Sequence, residues 1–194
     1  MIGTRKIEII ATLCGLINII LIVRRNIWNY PFGLVMVTLY FFIFKDARLY
    51  SDMLLQPYFF VMQLFGWYWW LSKPAGDGKV AVARISTREA FAWIGIAVIG
   101  VIAVGTAMSR FTDAALPFWD AATSVGSIIA MYFMARRLLE NWVVWILVDV
   151  LAIGIYWVKG LQPTSALYLV FLCMASVGLY QWYRSWRSGI AIAK

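Results

Sequence analysis

Three side chains near residue 145 have types and spacing that bind a flat cation. Trp142, Trp145 and Asp149 stand at i, i+3 and i+7, which places them on one face of a helix. Indole faces attract cations by about 0.5–2 kcal/mol, and a carboxylate adds charge pairing. Asp149 lies seven residues after Trp142 and ten before Lys159, so at ~1.5 Å per residue it is about 10 Å or more from either helix end. An alternative reading is an aromatic belt with an aspartate paired to another helix. A second polar stripe, Gln56, Gln63, Trp67 and Trp70, follows at intervals of seven, four and three. A buried amide must find partners; a substrate supplies them, or another helix does, as interhelical glue. Asn18, Asn29 and Asn141 read as such glue or as helix-end caps, and Asn29 also stands among the candidate substrate contacts. Asp120 reads as a first-turn acid that complements the helix dipole.

The elements that must carry these groups are set by composition. The 194 residues are 63% hydrophobic and 13% charged, against about 45–50% and about 25% in a soluble domain. So large an apolar excess needs lipid as its solvent. Seven windows suit a span of about 20 mostly apolar residues: 7–23, 28–44, 53–71, 90–108, 116–134, 142–158 and 166–182. The expected class is an all-α integral membrane protein of seven transmembrane helices. Strand-length alternation is missing, which argues against a barrel. The first window follows Arg5 and Lys6 and ends in Arg24-Arg25 rather than at a small-residue cleavage site, so it reads as a retained helix.

The net charge of +8 marks topology rather than a polyanion partner, so no nucleic acid is expected. With loops assigned to alternating sides, Arg5, Lys6, Lys45, Arg48, Arg110 and Lys159 share the N-terminal side, and the other eleven basic residues share the opposite one. The positive-inside rule then predicts an external N-terminus and a cytoplasmic C-terminus. Cys14 and Cys173 fall in apolar windows and imply no disulfide or metal site. There is no histidine, which removes the commonest acid–base group and metal ligand. Gly76-Asp77-Gly78-Lys79 lacks phosphate-loop spacing. Neither an enzyme nor a cofactor is expected.

The chain also matches itself at an offset of 112 residues. Arg24-Arg25 falls on Arg136-Arg137, Asn29 on Asn141, Gly66 on Gly178, Tyr68 on Tyr180 and Trp70 on Trp182. This predicts two parallel three-helix repeats joined by a linker helix: residues 1–72, a linker and fourth helix over 73–112, and residues 113–194. In parallel repeats the substrate site lies near the midplane between the halves. Gly95, Gly100 and Gly105 of the fourth helix are candidates for close packing. The candidate polar residues break the repeat, since Asp149 falls on Val37 and Gln63 on Ala175.

Four segments carry a family resemblance: Asn29-Tyr30-Pro31-Phe32-Gly33; Gln56 with Gly66-Trp67-Tyr68; Pro117-Phe118-Trp119-Asp120; and Glu140-Asn141-Trp142-Val143-Val144-Trp145 running on to Asp149. With them the chain resembles the Pnu vitamin transporters over essentially its full length. The resemblance implies a three-plus-one-plus-three fold related to the SWEET sugar carriers, in the bacterial cytoplasmic membrane. It implies facilitated diffusion of a dephosphorylated vitamin that a cytoplasmic kinase traps, a homotrimer, and substrate contact by Trp142, Trp145, Asp149 and the Gln56, Gln63, Trp67, Trp70 face. Members that carry nicotinamide riboside tend to have Asn where this chain has Asp149. Ionised Asp only accepts hydrogen bonds, which points to thiamine, with its amino donor and thiazolium cation. Nicotinamide riboside is the alternative, followed by a riboflavin-like solute.

Overall fold

The computed structural model describes residues 2–46, 50–72, 81–160 and 162–189. Helices account for nearly all of them: α1 Ile2–Val23, α2 Asn29–Asp46, α3 Tyr50–Leu71, α4 Thr87–Phe111, α5 Pro117–Ala135, α6 Glu140–Val158 and α7 Gln162–Arg187. The described residues contain no strand beyond one isolated bridge, Ala83 to Leu138. The chain is thus an all-helical membrane protein of seven helices, as its composition requires. Among the described residues the backbone is paired largely within helices, the arrangement that lipid demands.

Four helices are long and apolar enough to cross a membrane on those grounds alone: α1 from Lys6, α4, α6, and α7 from Thr164. The other three also carry polar side chains within the span. α2 begins with Asn29 and Tyr30, α3 holds Gln56, Pro57 and Gln63, and α5 holds Asp120, Thr123, Ser124 and Ser127. Large apolar side chains point outward throughout, with Ile99 at 70% and Phe111 at 83% exposed. In water such a surface would aggregate; in lipid it is solvated.

The fourth helix starts at a capping box. Ser86 Oγ accepts from Glu89 N–H, and the Glu89 carboxylate accepts from Ser86 N–H at 2.7 Å. The Ser86-Thr87-Arg88-Glu89 signature for this start stands in the sequence, ahead of the apolar window expected over 90–108. Residues 73–80, with Lys73, Lys79 and the 76–79 segment, lie outside the described residues, as do Arg48 and Lys194.

The chain forms two compact units. The first comprises 1–82, 135–137 and 181–194. Within it Trp70, 1% exposed, meets the Tyr30 ring edge-on at 5.2 Å and lies 6.0 Å from Trp182, whose indole N–H donates to the Ile22 carbonyl at 3.1 Å. The second comprises 83–134 and 138–180, with a core of Val125, Ile129 and Phe133 covered by Trp93, Ala97, Val101 and Val144. Here α4 packs on α5 through two of its three glycines. A Cβ at Gly100 would lie 3.2 Å from Val125, and one at Gly105 would strike the Phe118 ring, whereas Gly95 faces open space.

The 112-residue repeat is legible in local geometry. After α1 the backbone turns through Arg25 at φ 56°; after α5 it turns through Arg137 at φ 61°. Asn26 N–H donates to Leu21 at 2.9 Å, and Leu138 N–H donates to Phe133 at the same distance. This six-residue closure is the Schellman pattern, which puts its C′ residue in the left-handed region. Arginine there carries the strain that glycine would avoid. Asn29 Nδ2 then donates back to the Asn26 carbonyl at 2.8 Å, and Asn141 Nδ2 to Leu138 at 2.6 Å. Both asparagines are helix-end ties, as their type predicts.

Candidate functional site

In the second unit the site is built on α6. Trp142 and Asp149 are buried, at 2% and 4% exposure, and Trp145 is half-buried. Two glycines let the neighbouring helices close on this face. A Cβ at Gly126 of α5 would lie 2.6 Å from Val148, and one at Gly178 of α7 would lie 2.7 Å from the Trp142 ring. The Trp142 indole therefore packs over α7 backbone, whereas Trp145 retains exposed ring surface. Among the described residues no ion pair or hydrogen bond reaches the Asp149 carboxylate. A charge so placed is expensive and marks function. The ion pairs of this unit are elsewhere: Arg84 with Glu140 at 2.9 Å before α6, and Lys159 with Asp120 at 2.8 Å after it. Asp120 is thus a first-turn acid, as expected, and also a partner to Lys159.

In the first unit the polar stripe of α3 is buried at both glutamines, Gln56 at 8% and Gln63 at 1%. Its four members span fourteen residues, about 21 Å along the helix, so they cannot all touch one small solute. Trp67 stacks nearly parallel to Tyr30 at 6.3 Å, and Trp70 belongs to the packing already described. Gln63 is the polar focus. Its amide lies against Gly33 of α2, where any Cβ would collide with it and would stand 2.8 Å from Asn18 Nδ2. Asn18 in turn donates to the Asn29 carbonyl at 2.8 Å, the interhelical tie expected of it. Asn29 is 1% exposed. Gln63 Oε1 and Asn29 Oδ1 are buried oxygens with no hydrogen-bond partner among the described residues.

By sequence every basic residue reads as a topology anchor. Two are more than that: Arg25 and Arg137 are each only 8% exposed. Burial pushes the Arg137 guanidinium below its usual range, opposed by the nearby Tyr30 hydroxyl. The paired arginines at the repeat offset were the available signal, but only the left-handed turns explain why their side chains are drawn inward.

A family model described as nicotinamide mononucleotide transporter matches residues 5–184. The nicotinamide riboside transporter PnuC of Escherichia coli is 29% identical over 206 aligned residues, covering 93% of this chain and 86% of its own. The riboflavin/roseoflavin transporter RibM of Streptomyces davaonensis is 28% identical over 179, covering 91% and 84%. A crystal structure of the vitamin B3 transporter PnuC superposes with a TM-score of 0.76 at 26% identity, over 92% of this chain and 81% of that one.

Proposed function

Because the chain belongs to the nicotinamide mononucleotide transporter family, we propose that it carries nicotinamide riboside across the bacterial cytoplasmic membrane by facilitated diffusion. That it is a multi-pass membrane transporter for a small vitamin follows from the family and the fold. The choice of nicotinamide riboside rests on one observation, the near full-length similarity to transporters named for that solute. It replaces the thiamine preference that Asp149 suggests, for a physical reason. The pyridinium of nicotinamide riboside is itself a permanent cation, so a carboxylate suits it as well as it suits a thiazolium. The carboxamide then needs an acceptor and a donor, which amide side chains provide.

In this reading Asp149 pairs with the ring charge and Trp145 stacks on it, with Trp142 holding the α6 face in place. Gln63 Oε1 accepts from a polar substrate group, with Gln56, Trp67 and the Asn29 Oδ1 as further candidates, whereas Trp70 serves the packing with Tyr30 and Trp182. A phosphorylated vitamin is repelled by Asp149, which suits the role of a cytoplasmic kinase in trapping the product. The reading also includes the division at 1–72, 73–112 and 113–194, an external N-terminus, a cytoplasmic C-terminus and a homotrimer.

Calorimetry of the purified protein against nicotinamide riboside, thiamine and riboflavin tests the substrate. Nicotinamide riboside should bind most tightly. Tighter binding of thiamine would reverse the assignment.

A further inference from the structure

Two helices, α2 and α6, begin at equivalent points of the repeat and are held there by different means. The α2 start is capped by its own chain. Asn26 Oδ1 accepts from the Trp28 N–H at 2.9 Å, and the Asn29 and Tyr30 N–H groups close on the Asn26 and Ile27 carbonyls at 3.2 Å. At the α6 start the 112-residue offset puts Leu138 in the place of Asn26, and a leucine side chain has no oxygen to offer. Leu139, the residue before the first turn, already has helical angles and makes no side-chain cap. The first N–H groups of a helix find no partner within it, so a start with neither cap nor outside partner frays.

What α6 lacks, the segment before α4 provides. Ala83 runs beside Leu138 as an isolated parallel bridge, and its carbonyl accepts from the Leu139 N–H at 2.9 Å. The Glu140 carboxylate reaches back to the same segment. One oxygen accepts from Arg84 Nε at 2.9 Å, and the other accepts from the Ile85 N–H at 3.3 Å. Ile85 and Leu138 both pack on the core of Val125, Ile129 and Phe133, and Ser86 then opens α4 with its capping box. All of these residues belong to the second unit. With side chains 46% and 16% exposed, the Arg84–Glu140 pair contributes little to global stability. Its effect is local and geometric.

The helix start fixed in this way carries the candidate substrate face. Trp142 is the third residue of α6, so loss of the first turn releases it from its seat over Gly178. A slip of one residue rotates the whole face of Trp142, Trp145 and Asp149 by about 100°. We infer that residues 83–86 form an N-terminal cap supplied to α6 from outside the helix, and that Glu140 and Arg84 are positioning residues for the substrate face. They touch no substrate; they set its affinity by holding Trp142 in register, a role that rests on the proposed use of this face for the vitamin.

Hydrogen exchange on the ligand-free protein tests the cap without any vitamin. Glu140→Ala should speed exchange in the first turns of α6 about tenfold, while the start of α2 with its own cap stays unchanged. Unchanged exchange in α6 would overturn the cap. Calorimetry on the same variants tests the positioning, first with nicotinamide riboside, then with thiamine and riboflavin. For the vitamin that binds, Glu140→Ala should raise Kd about tenfold with the melting temperature nearly unchanged. Glu140→Gln and Arg84→Ala each keep one of the two bonds and should raise it about threefold. Arg84→Ala combined with Glu140→Ala should do no more than Glu140→Ala alone, because Arg84 acts through that carboxylate. In liposomes the change should fall on the half-saturating concentration and not on the maximal rate. A lowered melting temperature with unchanged affinity would make the pair merely structural and overturn the positioning. Binding of thiamine alone would sink the nicotinamide riboside assignment, and the same affinity ratios are then read on thiamine. Binding of none of the three would sink the proposed function and the positioning with it, while the cap still stands or falls on the exchange result.

Discussion

The two three-helix repeats share a framework and divide the chemistry. Each leaves its first helix through a left-handed arginine, Arg25 or Arg137, and ties its second helix with Asn29 or Asn141. Each then lays an aromatic ring over a glycine of its third helix. Tyr30 covers Gly66 as Trp142 covers Gly178, with the absent Cβ accounted for at 2.6 and 2.7 Å. Trp70 and Trp182, both 1% exposed, close the equivalent positions further along. The polar positions diverge. Asn18, Gly33 and Gln63 of the first repeat align with Ala130, Trp145 and Ala175, and Val37 aligns with Asp149. Backbone-defining residues are repeated because both halves must solve the same packing problem. The candidate polar residues are not repeated, a divergence that the proposed asymmetric solute would require.

That comparison breaks most severely at the shared framework. Gly66→Val and Gly178→Val each force a branched side chain into an aromatic ring, and each should lower thermal stability in detergent by about 3 kcal/mol. Nearly equal losses are expected; a large loss at one glycine and none at the other would show that the two rings do different work. Next in size is a change at a divergent position. Asp149→Asn should weaken a cationic vitamin by about 2 kcal/mol, roughly 30-fold, while leaving a neutral flavin unaffected in calorimetry. Equal losses for both ligands would make the residue structural.

A smaller effect is expected at the neighbouring aromatic. Trp145→Ala should cost about 1 kcal/mol of cation binding, roughly fivefold, with Trp145→Phe recovering part of it. The smallest concerns the Lys159–Asp120 pair, whose side chains are 28% and 23% exposed. Lys159→Ala should lower the melting stability by only about 0.5 kcal/mol. Asp120 aligns with the exposed Glu8, and Glu8→Gln should have no measurable effect on stability.

The sequence alone determined the solvent of this protein, its helix number and its repeat. Those properties are written in apolar run length and in residue identity at a constant offset, and neither depends on which helices touch. It also singled out Asp149 and Gln63, since an acid or amide deep in an apolar run is costly wherever that run packs. Tertiary structure decided what each member of the two stripes does. Helical spacing assigns Trp142 and Trp145 to one face, but only the backbone at Gly178 takes up Trp142 and leaves Trp145 with exposed ring. The same spacing groups Trp70 with Gln63, but contact with Tyr30 and Trp182 makes Trp70 part of the core. That no ion pair among the described residues reaches Asp149 is likewise invisible in one dimension. Seventeen basic residues were available in the chain, and a counter-charge is fixed by distances between side chains that a linear pattern does not contain.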